Sequence, residues 1–285
     1  MYKLFMEFEN PTKESVQGFA VHGDIGFVLY HTGVCAAYDL ARKEQKPLGV
    51  FKLGSYNAGT PDNRYTNHAN SAMFGPTLSG EKYPLLYVSA GNSGECDENG
   101  YIAYCAVEQI REENSSFSAQ TVQRIYYKND GIETTPFEAP GWGWPFSLVD
   151  VNNGWYYLFS ARYRTRKEYS KPDNAYIVTK FPLPAPDTGD VTLYPADITE
   201  QFLLPFNVFA TQGGTLYDDK IWYMFGFGTE NYPNALRVID LQGKEYARCE
   251  DLSTTPFRDQ EVECCAFYKG KLLINTQDNK LYVEI

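Results

Sequence analysis

The sequence predicts an all-β protein: a five-bladed β-propeller of four-stranded antiparallel blades, its ring closed by the N-terminal strand pairing in the C-terminal blade. Three observations predict this. Five stretches open on a small polar signature: Gln17-Gly18-Phe19, His68-Ala69-Asn70, Pro145-Phe146-Ser147, Gln212-Gly213-Gly214 and Glu261-Val262-Glu263. After each comes a turn and a strongly apolar strand: Phe27-Val28-Leu29-Tyr30, Leu85-Leu86-Tyr87-Val88, Trp155-Tyr156-Tyr157-Leu158, Ile221-Trp222-Tyr223-Met224 and Leu272-Leu273-Ile274. Repetition at about 50 to 75 residues signals a radial array of sheets rather than a single sandwich. Composition agrees: Tyr (23), Phe (18) and Trp (4) are plentiful while Gly (23) and Pro (16) punctuate the chain, as many short strands joined by turns require.

Taken in order, blade one (17–54) reads as strands 17–22, 26–31, 34–40 and 47–53, and blade two (68–127) as 68–75, 83–90, 100–107 and 120–127. Blade three (145–198) reads as 145–151, 154–161, 174–181 and a weaker 191–198; blade four (212–249) as 212–217, 220–227, 234–241 and 244–249. Blade five (261–285) has only 261–268, 271–276 and 280–285. A three-stranded last blade would leave an exposed edge. The alternating segment 2–8 has no blade of its own, and placing it beside 280–285 completes the ring in a single domain. Between first and second strands stand His22-Gly23-Asp24, Asn152-Asn153-Gly154, Tyr217-Asp218-Asp219 and Tyr268-Lys269-Gly270, residues that accept the positive φ of tight hairpins.

A meandering blade sends its connections to alternate ends. Segments 55–67, 128–144, 199–211 and 250–260 join blades, and 91–99, 162–173 and 228–233 join second to third strands. All fall at the end where the five signatures lie. Loops on a rigid scaffold carry function, so that face is the candidate site.

The chain of 285 residues has 25 Lys+Arg against 36 Asp+Glu, a formal charge of -11. It has no long basic stripe, so duplex nucleic acid is not an expected partner, and no run of 18 apolar residues that would span a membrane. A monomer is expected. No signal-peptide core follows Met1; a cytoplasmic location is expected if Met1 is the native start, and an extracellular or cell-surface one if a signal peptide was removed. The 6 Cys contain no C-x-x-C pair, which argues against a zinc site and gives no disulfide framework.

Gln17 and Gln212 precede Gly in matching positions, either as ties between blades or as hydrogen-bonding groups for a ligand at the axis. His68 and Asn70 depart from that pattern, and strand alternation places them on one face; His68 is a structural imidazole, or a general base or anion ligand. Glu261 and Glu263 also share a face by alternation. They are solvated rim residues, or a carboxylate pair that repels unless a cation, calcium being the candidate, sits between them. Trp142 and Trp144 bring two indoles to the elaborated face, to stack on a sugar or to plug the channel. Arg162 and Arg164, with Arg166 and Lys167, form the dense basic cluster, a solvated loop or an anion site.

Gln17-Gly18-Phe19 followed by His68-Ala69-Asn70-Ser71 resembles the Gln-Ser-Phe and Gly-His-Gly-Asn signatures of propellers in phage receptor-binding and teichoic-acid-associated proteins, which implies binding to a surface polymer. Thr211-Gln212-Gly213 with Asp218-Asp219 and Leu236-Arg237-Val238-Ile239-Asp240-Leu241 is similar to the strand unit of plant and bacterial-type glutaminyl cyclases, which implies an enzyme. The leading expectation is a non-enzymatic module that binds a glycan or anionic surface polymer. In that reading Trp142 and Trp144 stack on the ligand, the basic loop and His68 hold its charge, and Gln17, Asn70 and Gln212 orient it. The alternatives are an enzyme (hydrolase, lyase or glutaminyl-cyclase-like transferase) with His68 and Glu261 or Glu263 as acid and base, and a structural interaction protein.

Overall fold

The computed structural model of the protein describes residues 1–59, 65–66, 68–89, 100–141, 146–163, 171–205, 210–254 and 256–285. They form five antiparallel blades around one axis, and among them no helix is long and apolar enough to cross a membrane. The chain opens with β1 (Tyr2–Glu7). Blade one is β2 (Val16–His22), β3 (Ile25–Tyr30), β4 (Val34–Asp39) and β5 (Gly49–Lys52); blade two is β6 (Ser71–Phe74), β7 (Leu86–Ser89), β8 (Ala103–Glu113) and β9 (Ser116–Tyr127). Blade three is β10 (Phe146–Asp150), β11 (Trp155–Ala161), β12 (Ala175–Pro182) and, after the short β13 (Val191–Leu193), β14 (Glu200–Pro205). Blade four is β15 (Thr211–Tyr217), β16 (Lys220–Phe225), β17 (Ala235–Asp240) and β18 (Glu245–Asp251). Blade five is β19 (Val262–Tyr268), β20 (Lys271–Thr276) and β21 (Lys280–Glu284), with β1 paired antiparallel to β21 as its fourth strand.

One strand differs from the sequence reading. The fourth strand of blade three is β14, not 191–198. Within that segment β13 instead runs parallel to β9, with Val191 opposite Ile125, and widens the sheet of blade two. Side chains on β9 explain the capture. Gln123 donates to the carbonyls of Ala185 and Gly189, both at 2.9 Å, and the Arg124 backbone N–H donates to the Asp190 carboxylate at 2.8 Å. These bonds hold the turn before β13 against blade two before the chain returns to its own sheet.

Among the described residues the apolar core is divided into layers between neighbouring blades. Alternation along β3 shows how they arise. Val28 and Tyr30 pack toward blade five with Met6, Phe8 and Val283, whereas Phe27 and Leu29 pack toward blade two with Tyr83, Leu86 and Val88. A second strand buried on both faces must be apolar at nearly every position, which is why these segments read so strongly in the sequence.

The innermost strands close on the axis. Gly18 N–H donates to the Ala69 carbonyl at 2.7 Å, joining β2 to the chain entering β6. A Cβ on Gly213 would collide with the Asn70 carbonyl and with Cys264 Sγ. The Cys264 thiol points at the carbonyls of Phe19 and Gly214, 3.7 and 3.9 Å away. Asn275 binds across the closing seam, donating to the Gln17 carbonyl at 2.8 Å and accepting from Cys264 N–H at 2.7 Å. Backbone approach this close requires glycine at two of the meeting points.

Candidate functional site

A bulge sets the chemistry at the loop-face end of this crossing. In β2 the pairing with β3 advances from Val16↔Tyr30 to Phe19↔Val28, one residue extra on the inner strand; β15 does the same between Thr211↔Phe225 and Gly214↔Tyr223. In β19 the shift falls between Val262 and Cys264. Counted through these bulges, Gln17, Gln212 and Glu263 occupy one equivalent position, so Glu263 stands where two other blades carry glutamine. This corrects the reading that aligned Glu261 with them and put Glu261 and Glu263 on one strand face. Glu261 precedes β19, and a bulge breaks strict alternation.

Asn70 sits beside this ring, its carbonyl against Gly213. Gln17, Asn70, Gln212 and Glu263 are 3%, 1%, 3% and 1% exposed. Gln212 Nε2 donates to the Gly226 carbonyl at 3.1 Å and to Glu261 Oε1 at 2.6 Å. By contrast Gln17 Oε1, both amide atoms of Asn70 and Glu263 Oε1 are buried with no hydrogen-bond partner among the described residues. Buried polar groups are nearly always paired, so such a cluster is unusual.

Electrostatics single out Glu263. Burial first, and the Glu261 carboxylate second, push its carboxyl well above the ordinary range. Burial also raises Glu261, and the Gln212 amide opposes that rise. The pair therefore holds a proton at a pH where ordinary carboxylates have lost theirs. Among the described residues no group of three or more His, Cys, Asp or Glu converges as a metal site.

His68 does not share a strand face with Asn70. It lies before β6 with φ 58°, so the alternation argument fails there. The left-handed turn brings its Nδ1 to 3.1 Å from His31 Nδ1, with the rings at 89°, and its backbone N–H donates to the His31 carbonyl at 2.8 Å. Burial, then the charge of His31, lowers its imidazole to about 4. Sequence reasoning missed His31 as this partner because the contact depends on a backbone reversal rather than on spacing.

Arg162 is already engaged. Its guanidinium grips Glu138 through two hydrogen bonds of 2.7 and 2.6 Å and donates to the Asp173 carbonyl. Trp142, Trp144 and Arg164 lie outside the described residues.

No protein-family model matches this chain, and no curated protein matches it. Among solved structures, the crystal structure of Myxococcus xanthus glutaminyl cyclase is similar, with a TM-score of 0.52 and 14% identity over 99% of this chain and 94% of that one. At that identity the likeness is one of fold.

Proposed function

We propose that the loop-face end of the axis is a binding site for a neutral, hydroxyl-rich ligand, a glycan being the class that fits. The observation that carries this reading is the buried cluster of unpartnered polar atoms on Gln17, Asn70 and Glu263. Each unmade hydrogen bond there costs about 1–3 kcal/mol, and a ligand that supplies the missing partners recovers it. Amide groups and a protonated carboxyl both donate and accept, as sugar hydroxyls do. An anionic polymer fits less well, because Glu261 and Glu263 stand at the site and Arg162 is taken by Glu138.

A second reading, acid/base catalysis at the same place, rests on the elevated carboxyl of Glu263 beside Glu261. The similar propeller from Myxococcus xanthus is a glutaminyl cyclase, so a glutaminyl peptide is one substrate to assay.

Two substitutions separate the readings. Screening against neutral and anionic oligosaccharides should find a neutral ligand that Asn70→Ala binds roughly tenfold more weakly, the equivalent of about 1.4 kcal/mol. Glu263→Gln replaces a neutral carboxyl by a near-isosteric amide, so binding should survive within a few-fold. The same variant should melt roughly 2–4 °C higher at pH 8, about 1 kcal/mol for a chain of this size. A carboxyl with a raised folded pKa contributes stability at low pH that disappears as pH rises through that value, and the amide removes the loss. Turnover of a glycoside or a glutaminyl peptide by the wild type, abolished in a folded Glu263→Gln, would install the enzyme reading. Retention of anionic polymers alone would overturn the neutral-ligand reading.

A further inference from the structure

The opposite end of the axis holds a cavity. Two-residue turns join β2 to β3, β15 to β16 and β19 to β20, with His22↔Ile25, Tyr217↔Lys220 and Tyr268↔Lys271 as the last pairs. Counting back from these turns puts Ala20, Thr215 and Ala266 at one level, and Ala72 of β6 joins them in lining a cavity of about 170 Å³. Where the loop-face end is crowded with amides and a carboxyl, this level carries only small side chains, and the space is left open.

The walls and floor differ in chemistry. Val21, Leu216 and Phe267, one residue further along each strand, make an apolar wall, and Tyr217 stacks on Phe267 with ring centroids 3.8 Å apart and planes at 9°. The inner strands β2, β6, β15 and β19 each stand at an edge of their sheet. Every second residue of such a strand turns its N–H and C=O away from the ladder, here toward the axis. Apolar walls therefore surround a ring of backbone donors and acceptors.

Charge does not select an ion here. On the adjoining hairpins Lys269 pairs with Asp24 at 2.9 Å and Lys220 with Asp218 at 3.5 Å. The cavity is cut off from the loop-face site by the crossing of Gly18, Asn70, Gly213 and Cys264. A cavity of about 150 Å³ is large enough to hold benzene, so this space has room for a single ring.

We propose that this cavity is a second ligand site, independent of the loop-face one, which takes a small neutral aromatic ring bearing a hydrogen-bonding edge, of the phenol class. The faces of the ring would lie against Leu216 and Phe267, and its polar edge would meet the backbone of the inner strands.

The test is a titration of 4-fluorophenol followed by ¹⁹F NMR with the whole chain. A saturable change in shift or linewidth is expected, with fluorobenzene, which lacks the hydroxyl, at least fivefold weaker. Leu216→Trp should close the cavity from its rim and Thr215→Leu from its floor, each weakening 4-fluorophenol at least tenfold while the protein still melts cooperatively. Absence of saturation at about 10 mM, tenfold above a millimolar Kd, overturns the proposal. So does equal binding by wild type and both variants, or equal affinity for fluorobenzene and 4-fluorophenol.

Discussion

His68 carries two demands at one position. Its φ of 58° lies in the left-handed region, where asparagine, aspartate and histidine are the commoner non-glycine residues, and its imidazole is held down to about 4 by burial and by His31. The sign of the pH effect follows. Between the ordinary value near 6.5 and about 4 the unfolded chain binds the extra proton, so folding stability falls as pH falls through that window, by at most about 3 kcal/mol. His68→Asn accepts the left-handed turn and removes the titrating ring. Melting temperature measured from pH 7 to pH 4 should therefore fall less steeply in the variant than in the wild type; parallel curves would show that the His31–His68 pair bears no such load. At this scale the residues stood in the sequence but their geometry did not. Gln17, Gln212 and Glu263 hold equivalent places on their inner strands with Asn70 against Gly213, yet a single bulge exchanged the roles of Glu261 and Glu263, and one positive φ turned His68 toward His31. Bulges and left-handed residues leave little trace in composition, because several residue types tolerate each.

At the scale of elements the closing strand matters most. Met6 and Phe8 are buried among Tyr38, Leu281 and Val283. Tyr2 donates to Glu250 of blade four at 2.9 Å, and Arg248 reaches both Tyr2, at 3.3 Å, and Glu284, at 2.6 Å. The first strand is thus sewn to the last strand and to the neighbouring blade. Deleting residues 1–8 loses two buried side chains worth about 1.5–3 kcal/mol each. At roughly 2–4 °C per kcal/mol the melting temperature should fall by at least roughly 6 °C. The bared edge of β21 should also make the truncated chain associate with rising concentration. Calorimetry and sedimentation check both, and an unchanged melt would refute the role given to β1. This closure was legible from the sequence because blade five lacked a strand while 2–8 had no partner. The exchange of β13 and β14 was not, since both segments have strand character and the choice is made by Gln123 and Arg124, more than sixty residues away.

On the scale of the whole molecule, five apolar layers replace a single core and the blades wedge together at glycines. That arrangement explains why fold and function differ in legibility. The fold is written in long apolar strands that every blade repeats, whereas the candidate ligand sites occupy only the two ends of the axis, one side chain deep in each blade. The formal charge of -11 is spread over a surface where many charges pair locally, so the chemistry at the axis is set by burial more than by the net field.

The pairing of Ile285 N–H with the Met1 carbonyl at 3.0 Å has a consequence for the order of events in the cell. The first strand leaves the ribosome nearly the whole chain ahead of its partner, and at about 5–20 residues per second it waits roughly 15–55 s before β21 exists. Blade five therefore cannot be finished until β21 has been made, by which time blades one to four can be complete. A circularly permuted gene, joining Ile285 to Met1 by a short glycine linker and opening the exposed Asn114-Ser115 turn, would move that wait to blade two. The permuted protein should reach the same circular dichroism spectrum, with its last folding step now set by the β8–β9 hairpin.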